Sequence, residues 1–351
     1  MSTQANSGPA NDNFRYDPNA KTFPTRKELP QVPGTPDGAA WFWGHDDFKG
    51  RLNLQTESRV REAAQAIIRG KVVPLNLPLD MPKLPAFGRE EFKHEIKILH
   101  PGICYDDLYT LNTQSGTQWD GFRHFAHIPS GTFYNNTHDD DIVGPKANEN
   151  CSIHHWAEHG IVGRALFLDF YSFSQASGKT YDPWTYYPFS YADLAACGRA
   201  QGIDIRPESQ GGDVKPGDLL LVRGGWTDTY HNKTPKERTQ IATRKHWLGP
   251  DDPSTYAGLS QEQQVVDWLH DCYFSAVGGD MPSFEAWPSK EKYYLHEYLL
   301  ACWGVPIGEM FDLEKLAEVC KAERRWWVFI TSAPANVHRG VSSHANLVAI
   351  L

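Results

Sequence analysis

The sequence is notable first for what it lacks. It holds no G-x-S-x-G nucleophile elbow, no glycine-rich phosphate loop and no G-x-G-x-x-G dinucleotide turn. Those absences argue together against serine hydrolases, kinases and nicotinamide enzymes. Cysteine is sparse: six residues, at 104, 151, 197, 272, 302 and 320, form no C-x-x-C pair, so neither a zinc knuckle nor a disulfide framework is expected. They read as buried thiols of a reducing compartment. Basic charge is also short. Lys and Arg total 34 against 43 Asp and Glu, a formal net charge of -9, with no basic cluster to meet phosphates. This argues against nucleic acid as a partner and for a small-molecule substrate. No apolar run is long enough to span a bilayer, and the first 40 residues contain no secretory apolar stretch, so no membrane partner and a cytoplasmic location are expected. The sequons at Asn135, Asn150 and Asn232 then carry little weight.

What is present is a 351-residue chain with 13% aromatic residues and 12 Trp, enough for one large core. Residues 1–40 have the composition of a flexible arm, and 41–351 that of the folded domain. Helical spacing of Val60, Ala63, Ala64, Ile67 and Ile68 after Thr56 predicts a helix closed by Gly70. Further helices are expected at 153–159, 191–200, 260–270, 291–303 and 313–322. Strands are expected at 72–77, 92–99, 165–170, 219–223, 273–277 and 326–330, with an edge strand at 346–351. The polar, Trp-bearing stretch 224–259 reads as a long loop or lid. Strands alternating with helices indicate an α/β fold.

The chemistry concentrates between residues 114 and 125. Gln114, Gln118, Asp120 and His124 stand at even offsets, so an extended segment would turn all four toward one side. A half-exposed polar strand would show the same spacing. His296 inside a predicted helix, and Glu309 after the turn that follows it, can join Asp120 and the Gln pair in a mixed nitrogen and oxygen set suited to Zn²⁺ or Mn²⁺. Spacing alone does not single out His296 among 15 histidines. His155-x-x-Glu158-His159 fits an inverted zincin pattern, but its helix is about two turns long before Gly160, so it reads as a solvated helix face.

These residues resemble a family. The chain is similar to the cyclase superfamily of metal-dependent hydrolases, which includes kynurenine formamidase and isatin hydrolase and has the signature H-x-G-T-H-x-D-x-x-x-H-F. Here Gln114-x-Gly116-Thr117-Gln118-x-Asp120-x-x-x-His124-Phe125 carries Gln at both of the first two histidine positions. The blocks 162–166, 215–223, Asp280-x-Pro282-Ser283-x-Glu285 and Leu295-His296 with Glu309 also match, so the resemblance covers roughly 45–350. The Q-x-x-x-Q-x-D variant with a later His and Glu looks like trans-dienelactone hydrolase, a zinc-dependent member.

The resemblance implies a cyclase-like single domain of swivelling β/β/α type, with mixed sheets and flanking helices, assembled as a homodimer or homotetramer. It implies one or two divalent ions, Zn²⁺ before Mn²⁺, held by Asp120, His296 and Glu309 with Gln118 and Gln114 completing the shell. His124 would serve as general base and acid beside Asp120. Arg123 and His127 would hold a substrate carboxylate, and Trp119, Phe122, Phe133, Trp226 and Trp287 would wall a ring. The reaction expected is hydrolysis of a lactone, cyclic amide or aryl formamide to a carboxylate. A metal-free lyase or cyclase acting on a polyketide-like substrate, and a non-catalytic ligand-binding homologue, are the alternatives.

Overall fold

A computed structural model describes residues 15–351. The strands, in chain order, are β1 (Val72–Pro74), β2 (Lys93–His100), β3 (Cys104–Thr110), β4 (Gln118–Asp120), β5 (Ile161–Leu168), β6 (Tyr187–Phe189), β7 (Leu219–Val222), β8 (Ala257–Leu259), β9 (Ala276–Gly279), β10 (Ile307–Glu309), β11 (Trp327–Ser332), β12 (Ser342–His344) and β13 (Leu347–Ile350). Nine of them form one mixed sheet in the order β1-β13-β11-β5-β7-β9-β10-β4-β12.

The middle of the sheet, β5-β7-β9-β10, is parallel. β5 and β7 read as near-continuous apolar runs, because helices on the crossovers cover the faces of a parallel sheet. Leu219, Leu220, Leu221 and Val222 are all buried. The helices Tyr191–Ala200 and Gln263–Asp271 supply part of that cover, burying Leu194 and Cys197 from one and Val265, Val266 and Leu269 from the other. The result is a single mixed α/β domain with flanking helices. No helix among the described residues is long and apolar enough to cross a membrane.

Four expectations change. Residues 346–351 supply β13, which lies between β1 and β11; the edge belongs to β1, whose Pro74 has no N–H to give a further neighbour. The stretch 224–259 is not a structureless loop. It carries the helices Trp226–Asn232 and Pro235–Ala242, the second opened by a capping box in which Thr234 and Glu237 bond reciprocally, with Pro235 in the first turn. The helix expected at 291–303 is the shorter π-type segment Glu297–Cys302, ended by Gly304 at φ 63°. Of the expected arm, residues 1–14 lie outside the described residues. From Arg15 to 40 the chain lies against the domain: Tyr16 packs edge-on to Phe42, Phe23 stacks on Tyr273, and Arg26 Nε donates to Asp267 Oδ1 at 2.6 Å. Five cysteines are buried and Cys104 is half-buried.

β4 is only three residues long, yet it is paired on both sides, with β10 (Glu309 opposite Gln118) and with β12 (His344 opposite Gln118). At its end, Gly121 lets the β12 side come close: a Cβ there would stand 2.1 Å from the Val341 carbonyl oxygen. Gly121→Ala therefore has to push the two segments apart. We expect a loss of about 1–3 kcal/mol in unfolding free energy, the usual cost of overpacking, measurable by urea denaturation.

Candidate metal centre and active site

β4 splits its side chains by alternation. Trp119 turns into the core, where its indole N–H donates to Ser332 Oγ at 2.9 Å and its ring meets Phe311 edge-on. Gln118 and Asp120 take the opposite face, both fully buried. Gln114 and His124 are not in the strand but in the turns before and after it, so their convergence comes from chain reversal. The Gln114 amide nitrogen lies 2.7 Å from Asp120 Oδ1 and 2.9 Å from His124 Nδ1, tying both turns to the carboxylate.

Two further elements bring the remaining groups. Glu309 ends β10 directly opposite Gln118, whose amide donates to Glu309 Oε2 at 2.8 Å; the Phe284 N–H donates to Oε1 at 2.9 Å. His296 caps the π-type segment. Its Nε2 is 3.3 Å from Glu309 Oε1 and 3.7 Å from Asp120 Oδ2. The ring is set by Glu285, whose Oε1 accepts from both the His296 backbone N–H at 2.9 Å and Nδ1 at 2.7 Å. Oε2 of Glu285 accepts from the Leu295 N–H and the Gln261 amide. With Nδ1 committed to Glu285, Nε2 is the nitrogen free to face Asp120 and Glu309.

The electrostatics are those of a crowded anionic site. Burial pushes the Glu309 carboxyl up, and Asp120 adds to that shift. Burial acts the same way on Asp120, but His124 and His296 outweigh it and hold the carboxyl down to about 2. Desolvation pushes the His124 imidazole down to about 4 against the pull of Asp120, so the ring is neutral at pH 7. His296 is raised well above its ordinary value: desolvation opposes its charge, but Asp120, Glu285 and Glu309 prevail.

Two buried acceptors in this site, Asp120 Oδ2 and Gln118 Oε1, have no hydrogen-bond partner. Unsatisfied buried oxygens are costly, and two of them beside a second carboxylate and an imidazole nitrogen match the demands of a divalent cation. Asp120, His124 and His296 also present donor atoms within 4.8 Å of one another. The residues present therefore fit such an ion.

Two adjoining cavities lead here. The smaller, about 120 Å³, is lined by His124, His296 and Glu309 together with Phe87, His246 and Trp287. The larger, about 380 Å³, is walled by Trp184, Trp226, Tyr230 and Tyr256, with Arg89 and Pro282 common to both cavities. Trp184, Trp226 and Tyr230 stack on one another with ring centroids 4.8–5.9 Å apart.

The other residues expected at a substrate are placed elsewhere. Arg123 is buried and spends its guanidinium on the carbonyls of Asn148, Asn150 and Arg339, so it braces loops. Trp119 and Phe122 are core residues, the latter packed between Tyr134 and Trp156. His127 bonds Ser130 Oγ within its own turn, and neither His127 nor Phe133 lines either cavity. Trp226 and Trp287 do line them. Arg89, His246 and the clamp Glu285–Gln261 were not assigned roles from sequence. Glu285 stood in a matching block, whereas Arg89 and His246 lie in polar stretches with no distinguishing pattern.

The comparisons with known proteins agree with this architecture. The family model described as "Putative cyclase" matches residues 73–286. A crystal structure of a novel cyclase is 25% identical, with a TM-score of 0.74 over 89% of this chain and 99% of the other. Isatin hydrolase A from Ralstonia solanacearum is 18% identical, with a TM-score of 0.52 over 84% and 97%, a likeness of fold. Sequence comparison with curated proteins gives no match. With well over half of the chain matched by the family model, the protein belongs to the cyclase family.

Proposed function

We propose that the protein is a metal-dependent hydrolase that opens a lactone, cyclic amide or aryl formamide and releases a carboxylate. The observation that carries this reading is the pair of orphaned oxygens, Asp120 Oδ2 and Gln118 Oε1, buried beside Glu309 and the oriented Nε2 of His296. Asp120, His296 and Glu309 would hold the ion, with Gln118 and Gln114 completing or steering the shell. Zn²⁺ suits this borderline donor set best and Mn²⁺ next. Such an ion supplies polarisation of the substrate carbonyl and a lowered pKa for water.

The chain's own residues do the rest. His124, neutral at pH 7 and facing the smaller cavity, takes the proton of the attacking water as the new C–O bond forms, once the Gln114 amide has turned from its Nδ1. It returns that proton to the leaving oxygen or nitrogen as the old bond breaks. The negative charge of the nearby Asp120 carboxylate stabilises the imidazolium between those steps. The stacked wall of Trp184, Trp226 and Tyr230 favours a flat, apolar body in the larger cavity. Arg89, common to both cavities, is the cation placed to meet a substrate or product carboxylate.

The expected assembly has a surface to use. Hairpin β2–β3 is exposed apart from the half-buried Cys104, and register places Ile96, Ile98, Tyr105 and Tyr109 on one face. An isolated two-stranded hairpin is marginal in water, so we propose that this apolar face packs on another copy of the chain.

Three tests follow. Elemental analysis of purified protein is expected to find a stoichiometric divalent metal that Asp120→Ala and His296→Ala lose along with turnover; full metal and turnover in both variants would overturn the site, and activity surviving a strong chelator would favour a metal-free lyase. His124→Ala is expected to keep its metal while kcat falls by roughly two to four orders of magnitude; an unchanged kcat would remove His124 from proton transfer. The double variant Ile96→Glu, Ile98→Glu is expected to run as a monomer in light scattering, and an unaltered mass would discard the hairpin as the interface.

A further inference from the structure

The inverted zincin pattern is not what brings histidines together on this face. His159 points its Nδ1 at the carbonyl of Gly160, and His155 lies against Phe48 with its Nε2 3.0 Å from the Glu149 carbonyl. The neighbouring His154 behaves differently. It is 3% exposed, and its Nδ1 has no hydrogen-bond partner. Its ring stacks on that of His338, from the loop between β11 and β12, with centroids 4.5 Å apart and planes 26° apart. The Glu149 carboxylate spans the pair, with Oε1 2.8 Å from His338 Nδ1 and Oε2 3.6 Å from His154 Nε2.

We propose that Glu149, His154 and His338 form a second divalent-metal site, separate from the Asp120–His296 centre and suited to Zn²⁺ or a similar borderline ion. The three side chains present donor atoms within 4.8 Å of one another. In a tetrahedral shell with bonds of about 2.0–2.1 Å, donors stand roughly 3.3 Å apart, so small side-chain rotations close the set. Two imidazoles and a carboxylate are a recognised three-ligand set for zinc, with water in the fourth position. A plain ion pair accounts for His338 and Glu149 alone. It leaves the Nε2 of the buried His154 3.6 Å from Glu149 Oε2, too far for a hydrogen bond. An ion among the three donors gives that Nε2 a partner.

The grouping His154, His155 and Glu158 also brings donors together. It is the weaker choice, because His155 is already engaged by the Glu149 carbonyl and packed on Phe48. A metal held by Glu149 and His338 would also fasten the two loops that Arg123 already bridges through Asn148, Asn150 and Arg339. Its consequence is local rigidity.

The test is Zn²⁺ binding to the full chain by equilibrium dialysis with elemental analysis, paired with thermal unfolding. Glu149 and His338 are exposed, so Glu149→Gln and His338→Ala are expected to fold even if His154→Ala does not. Wild type should bind one more zinc than either variant, or bind it at least tenfold more tightly, and zinc should raise Tm in wild type more than in the variants. Because the difference between wild type and His338→Ala is what is read, the result does not depend on metal at the Asp120–His296 centre. Equal zinc content, affinity and Tm response in wild type and His338→Ala would overturn the site, as would a loss that follows His155→Ala and Glu158→Gln instead.

Discussion

Three carboxylates, those of Asp120, Glu285 and Glu309, are buried around the single imidazole of His296. Left in a low-dielectric interior without compensation, such a group of charges would cost several kcal/mol per ion. The fold meets this demand unevenly. Glu285 receives two backbone N–H groups, an amide and the imidazole Nδ1, so its oxygens are well supplied with donors. Glu309 receives one backbone N–H and one amide. Asp120 has Gln114 on one oxygen and no hydrogen bond on the other. Donors thin out from Glu285 toward Asp120, and the shortage falls beside His124, His296 and Glu309, which line the smaller cavity. A structural ion-pair network would be expected to close that gap with protein donors.

The rest of the architecture serves to hold those groups within a few ångströms. Glu309 and the Gln118–Asp120 strand are neighbours in one sheet, so their spacing is fixed by backbone pairing. His296 arrives from outside the sheet, and its position is fixed by the Glu285 clamp on both its backbone and its ring. Rigid pairing on one side and a doubly bonded imidazole on the other give a preorganised cluster, which is what both metal binding and proton transfer require. The walls around it are less regular. Part of the wall of the larger cavity comes from the segment after β7, where two short helices carry Trp226, Tyr230 and Arg238.

Much of this was legible in the sequence, for identifiable reasons. The strands β5 and β7 announced themselves as apolar runs, and the helix expected at 191–200 forms over those residues, capped by Ser190. Gln114, Gln118, Asp120 and His124 lie within eleven residues, so their proximity was already local; what spacing mistook was the mechanism, which is a short strand between two turns and not one long strand. His296 and Glu309 required the family resemblance, since contacts between β4 and residues nearly two hundred positions later leave no periodic trace. Arg123, Trp119 and Phe122 were misplaced because sequence does not say on which side of a strand or turn a neighbour points. Arg89 and His246 were invisible for the opposite reason: each lies in an irregular segment whose path is set by tertiary packing.

The two glutamines change the chemistry of the proposed centre in a definite direction. An amide oxygen donates less electron density than an imidazole nitrogen, so metal affinity should be lower than with histidine in the same places. The amide has no competing proton at any pH of interest, whereas an imidazole must lose one before it binds. A centre built with Gln114 and Gln118 therefore has fewer groups to deprotonate, and its pH dependence rests on His296 and the carboxylates. Gln118 also gives its N–H to Glu309 while keeping its oxygen unpaired, so one side chain both restrains an acidic ligand and offers a neutral one. Because neither amide adds charge, an ion held there would meet negative charge only from Asp120 and Glu309 among its proposed ligands, which would favour polarisation of a carbonyl oxygen.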